Sequence, residues 1–114
     1  MQENKLNDYK MYICVLDEFP DFMTPTLVGH AVLRHHMKHS GNSRYDLWLN
    51  ESFKKCVVRV NQSEFDKIKE LPYATISWEN KTLAGKPACV TIIAHKREYN
   101  VLNYAKLWKP IGEM

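Results

Sequence analysis

Apolar and polar positions fall into blocks whose periods change several times along the chain. Residues 10–16 (KMYICVL) form an unbroken β-forming run that stops at Asp17, Glu18, Pro20 and Asp21, which predicts a buried first strand with a polar exit loop. Thr24 then offers a helix-capping side chain and Pro25 a first helical position, so a helix is expected over 25–39, closed by Ser40, Gly41 and Asn42. Val28, Ala31, Val32 and His35 recur at i, i+3, i+4 and i+7 and form the stripe that faces a sheet. Residues 45–49 (YDLWL) are apolar without settling on either period.

A second strand is expected at 55–60 (KCVVRV), then a short helix over 62–71 with Phe65, Ile68, Lys69 and Leu71 near its inner side, ended by Pro72. A third strand follows at 73–78, a turn around 79–81, and a fourth strand at 88–94 (ACVTIIA), apolar on both faces and therefore central. Residues 100–105 add a helical turn, and Leu107 with Trp108 close the fold as a small edge strand. The order β, α, β, α, β, β with right-handed crossovers predicts an α/β fold: a single-domain sandwich with a mixed four- to five-stranded sheet and helices on both faces. Its core covers about 10–109, with frayed ends at 1–8 and 111–114.

A chain of 114 residues is one domain's worth, which excludes a two-lobed enzyme with its cleft between domains. With 45% hydrophobic and 25% charged residues, it has the composition of an ordinary folded protein rather than a disordered or fibrous one. The longest apolar runs, 88–90 and 92–94, are far too short to span a bilayer, so no membrane partner is expected. The polar segment 1–9 lacks the apolar stretch of a secretory signal, which points to a cytoplasmic location. Cys14, Cys56 and Cys89 are widely spaced among β-formers and read as reduced core thiols. A net charge of +3 and an aromatic content of 11% suit a nucleotide or RNA ligand without demanding one.

Over about 10–109 the chain resembles the second family of peptidyl-tRNA hydrolases, small α/β proteins of similar length. Residues 22–31 (FMTPTLVGHA) are similar to that family's GKxAAQxAHA signature, best at Val28, Gly29, His30 and Ala31. Leu71, Pro72 and Tyr73 match its LPY, residues 78–82 fall at its DxGxT turn, and Lys106, Leu107 and Trp108 match its final LKL strand. The family's lysine falls at Met23, its glutamine at Leu27 and its turn aspartate at Trp78, with Glu79 one position along; its turn threonine is kept as Thr82. His95 and Lys96 replace the Gly-Pro after its central strand. The resemblance implies the family's fold, with altered chemistry, because a thioether or an indole carries neither the charge of an ammonium nor that of a carboxylate. The chain also looks like a small virus-encoded branch of that superfamily, which destroys the cyclic dinucleotide or oligonucleotide signals of bacterial antiphage defence.

Groups suited to phosphates gather along the same segments. Thr24, Thr26 and the first amides of the helix make an anion site by geometry, and His30, Arg34 and Lys38 extend its positive potential at four-residue intervals. Lys81 and Thr82 on the turn, and Lys96 with Arg97 after the central strand, are expected to converge there, with Trp78 stacking on a base. His95, at the end of the central strand, is the leading acid or base, His30 the second, and Thr82 completes the catalytic set. His35, His36 and His39 read as core or surface groups, and with no HExxH or carboxylate cluster no metal or other cofactor is expected.

The sequence thus points to a metal-independent phosphodiesterase, a hydrolase acting on a cyclic dinucleotide or other small nucleotide. The alternatives are a peptidyl-tRNA hydrolase with altered catalytic residues, with tRNA as partner, and a non-catalytic nucleotide or RNA binder. Pairing of two copies as a homodimer through a sheet edge is left open.

Overall fold

Strands and helices alternate along the chain. β1 (Lys10–Leu16) leads through a 3₁₀ turn (Asp21–Met23) into α1 (Thr24–His39), then α2 (Ser43–Leu47) and a π turn (Trp48–Ser52). β2 (Lys54–Val60), α3 (Gln62–Lys69), β3 (Thr75–Glu79), β4 (Lys86–Ala94), α4 (Asn100–Asn103) and β5 (Lys106–Leu107) follow. The computed structural model describes residues 8–79 and 85–111, so Lys81, Thr82 and most of the expected frayed ends at 1–8 and 111–114 lie outside the described residues.

The strands form one mixed five-stranded sheet in the order β3-β4-β1-β2-β5, with β1 and β2 parallel and the other neighbours antiparallel. Every residue from Ala88 to Ala94 is buried, so both faces of the sheet are covered. α1 packs on β1, β3 and β4, and α3 packs on β1, β2 and β4. The Cys89 thiol, 3.8 Å from the Leu27 carbonyl, points its face of β4 at α1. Met11, Ile13, Trp48, Phe65, Ile68 and Ile92 are the largest fully buried apolar side chains of the core, each contributing about 1.5–3 kcal/mol by leaving water. Cys14 and Cys89 are buried and Cys56 half-buried, all as free thiols.

Local chemistry explains where the elements depart from expectation. Thr24 does not cap α1; it is the first helical residue, Met23 holds the cap position without a side-chain bond, and the Thr24 hydroxyl is buried without a partner. The ambiguous stretch at 45–49 is helical because the Asn42 side chain accepts the Arg44 and Tyr45 amides at 3.0 and 3.2 Å. Tyr45 and Trp48, three residues apart, are both buried, and the Trp48 indole N–H donates to the Lys54 carbonyl at 2.7 Å. Asn61 and Glu64 close a reciprocal capping box on α3, whose buried residues are Phe65 and Ile68. Lys69, expected near the inner side, is exposed and pairs with Asp66 at 3.4 Å. β3 starts at Thr75 rather than at Tyr73, which turns the chain with φ of 64°.

Strand polarity has the largest consequence. β4 runs against β1, with Cys89 opposite Val15 and Ala94 opposite Lys10. The chain therefore leaves β4 at the amino end of β1, about 20 Å from the end at which α1 begins.

Candidate functional site

α1 carries no Asp or Glu over its whole length, while His30, Arg34 and Lys38 lie exposed along one side. Each step of four residues advances about 6 Å along the axis, so the helix presents a row of cationic groups rather than a single point. That row runs beside β3, one of the two edge strands of the sheet.

β3 pairs with β4 through a β-bulge. Ser77 pairs with Cys89, but Trp78 pairs with Pro87, so Ala88 is the extra residue on β4. Pro87 has no N–H to give a ladder, and a bulge at that position is the usual outcome. Thr75 and Ser77 are buried, while Trp78, the next residue along β3 and the one opposite the bulge, is exposed at the sheet edge. The Trp78 ring is 39% exposed and has the Arg34 guanidinium 5.6 Å from its centroid.

Two adjoining pockets share Arg34 and Trp78 in their linings and form the two lobes of the candidate cleft. The larger, about 250 Å³, is lined by Lys38, Lys69 and residues 74–76; the smaller, about 160 Å³, by His30, Leu33, Met37 and Ser77. Leu33 and Met37 are 58% and 73% exposed, an apolar wall on an otherwise polar helix side. The arrangement offers cations for a polyanionic backbone and flat or apolar surface for rings. Lys69, Ser77, Leu33 and Met37 were not anticipated as site residues. The apolar pair spaced by four on the polar side of the helix was the available signal for the last two.

The expected convergence on one rim holds only in part. His30 and Trp78 share the cleft, and Thr24 and Thr26 sit at the same end of the sheet but line neither lobe. Thr26 is exposed and Thr24 buried. Lys81 and Thr82 lie outside the described residues. His95 and Lys96 are corrected: they follow β4 to the opposite end of the sheet, because the β3–β4 connection reverses the chain. His95 and His30 therefore cannot act on one phosphate.

At that opposite end His95 belongs to a closed knot. Its ring stacks on Tyr9 at 4.1 Å, and its backbone N–H donates to Glu98 Oε1 at 2.9 Å. Arg44 donates to both Glu98 oxygens at 2.8 and 3.1 Å and to the Ile93 carbonyl at 3.2 Å, with its guanidinium 4.9 Å from the Tyr9 ring centroid. Burial pulls against the Glu98 carboxylate, but the bonds from Arg44 and from the His95 amide hold its pKa below the usual range.

The last turns of α1 pack beside this knot. His36 bonds the Tyr45 hydroxyl at 2.7 Å, and His39 shares a hydrogen bond with the Thr75 hydroxyl at 3.0 Å. His35 is buried with its Nδ1 unpartnered, and burial, followed by the positive charges of His39 and Lys38, lowers its pKa to about 3. Burial and then Lys38 also lower that of His39. Among the described residues no three His, Cys, Asp or Glu side chains are grouped to hold a metal ion, and no helix is long and apolar enough to cross a membrane.

No family model matches the chain, and comparison with curated proteins gives no match.

Proposed function

We propose that this chain binds single-stranded RNA, with the backbone along the His30, Arg34 and Lys38 row and a base against Trp78. The observation that carries this reading is the placement of Arg34 over an exposed Trp78 beside a helix without a single carboxylate. Cations positioned on a backbone give affinity, and an aromatic face adds stacking that tolerates any base. The resemblance to peptidyl-tRNA hydrolases, carried by the order of elements and by residues 28–31 and 71–73, supports an RNA partner such as tRNA.

The test is fluorescence anisotropy with a short labelled single-stranded RNA. Saturable binding that weakens with salt and falls at least tenfold in Arg34→Glu is expected, a loss of about 1.4 kcal/mol or more. Binding that ignores Arg34→Glu contradicts the reading.

A second reading is a metal-independent phosphodiesterase acting on a cyclic dinucleotide, favoured by the exposed imidazole of His30 inside the cleft. There His30 takes the proton of the attacking hydroxyl as its oxygen bonds to phosphorus. The P–O bond to the leaving ribose oxygen breaks, and the imidazolium returns the proton to that oxygen while Arg34 stabilises the charge that develops on the phosphate. Incubation in chelator with cyclic dinucleotides and with peptidyl-tRNA separates the readings. Cleaved phosphodiester that is lost in His30→Ala supports the second; released peptide supports a peptidyl-tRNA hydrolase; binding without turnover supports the first.

A further inference from the structure

A separate crevice of about 500 Å³ opens at the carboxyl ends of β1 and β2. These strands are adjacent and parallel, and their ends are tied by the Asp17 amide, which donates to the Val60 carbonyl at 2.8 Å. β1 continues into α1 and β2 into α3, on opposite layers of the sheet, and such a divergence leaves a crevice where α/β folds bind ligands. On one side stand Tyr104, Leu107 and Ile111, which are 79%, 63% and 67% exposed. Large apolar side chains gathered in solvent at one place mark a contact surface.

The polar side is fixed in advance. Arg59 bonds Asp21 at 3.2 Å, donates to the Lys109 carbonyl and lies over the Trp108 ring at 5.2 Å. The other Asp21 oxygen accepts the Ile111 amide at 2.6 Å, and that bond, ahead of the one from Arg59, holds the carboxyl below its usual pKa. The segment bearing Lys109 and Ile111 is thereby pinned against the sheet. Glu64 turns back to accept the Asn61 amide at 2.9 Å. Lys106 and Lys109 have no carboxylate partner among the described residues. Arg59, Lys106 and Lys109 line the crevice together with Asp17 and Glu64, an excess of one positive charge that matches a single negative charge.

We propose that this crevice binds a small aromatic carboxylate, its ring against Tyr104, Leu107 and Ile111 and its carboxylate at Lys106 and Lys109. The site shares no residue with the α1–β3 cleft, so the two readings stand or fall separately. The experiment is a titration of isotope-labelled full chain with 2-naphthoate, followed by amide chemical shifts, with neutral 2-naphthamide and inorganic phosphate in parallel. Shifts at residues 59–61 and 104–111 are expected for naphthoate. Binding at least tenfold weaker is expected for naphthamide, for phosphate, and for naphthoate with Tyr104→Ala or Lys109→Glu. Both substituted side chains are exposed, so the spectra away from the crevice should overlay those of the parent. Absence of shifts at millimolar naphthoate, equal binding of the neutral amide or of phosphate, or indifference to both substitutions overturns the proposal.

Discussion

Along one side α1 presents His30 and Arg34 to an open cleft beside Trp78, whereas toward its end His35, His36 and His39 pack against Tyr45, Tyr73 and Thr75. Both ends are rich in cationic and aromatic groups. The difference lies in whether those groups are already partnered. At the far end Arg44 spends its donors on Glu98 and on the Ile93 carbonyl, and Tyr9 is sandwiched by His95 and Arg44, so little capacity remains for a ligand. In the cleft Arg34 meets, among the described residues, only the face of Trp78, which leaves its donors for phosphate under the proposed reading. The proposed reading therefore rests on charge without internal partners rather than on charge alone.

Acid should separate the two ends most strongly. Burial holds the His35 pKa near 3 in the folded chain, below its unfolded value of about 6.5. The unfolded state takes up the proton first, so stability present above about pH 6.5 is lost as the pH falls toward about 3, by up to about 1.4 kcal/mol per unit. Thermal melts between pH 7 and 4 should show this loss, and His35→Leu should flatten it. Parallel acid curves for parent and variant would remove His35 as the cause.

Next in size is Arg44→Ala, which leaves Glu98 and the Ile93 carbonyl without their donor. A loss of about 1.5–3 kcal/mol is expected by denaturant unfolding, with RNA affinity within about twofold of the parent. A substitution that weakened binding and spared stability would reverse the roles assigned to the two ends.

Trp78→Ala should do the opposite. Loss of one stacking face costs about 1–3 kcal/mol of binding, and the exposed ring leaves stability within about 0.5 kcal/mol. Anisotropy and melting measured on the same sample test both halves.

The smallest effect is expected of His95→Ala, which removes the stack on Tyr9 for about 0.5–1.5 kcal/mol of stability and leaves binding and any cleavage unchanged. A turnover defect in a stable His95→Ala protein would restore the imidazole as a catalytic group.

The strands, α1 and their order were legible because their periods are clean: β1 and β4 are continuous apolar runs, and α1 repeats its buried residues at helical spacing. The segment at 43–52 was not, since its helical signal is an Asn42 cap plus Tyr45 and Trp48, too short for a period to register. The position of His95 departs from expectation because β4 runs against β1, so the end of β4 is not the end at which β1 finishes. The signal was present in the short link between β3 and β4, which permits a hairpin and not a crossover, so the next exit lies at the other end. The bulge opposite Trp78 left only Pro87 as a trace, because a bulge shifts register without changing composition. Partnering across the fold, such as Arg44 with Glu98 fifty-four positions away, has no local signature at all.

The most direct measurement is an amide chemical-shift map of the labelled chain titrated with single-stranded RNA. The account expects shifts at residues 30–38, 69 and 74–78, with 9, 44 and 95–98 unmoved. Shifts concentrated at Tyr9, Arg44 and His95 with the α1–β3 cleft silent would contradict it.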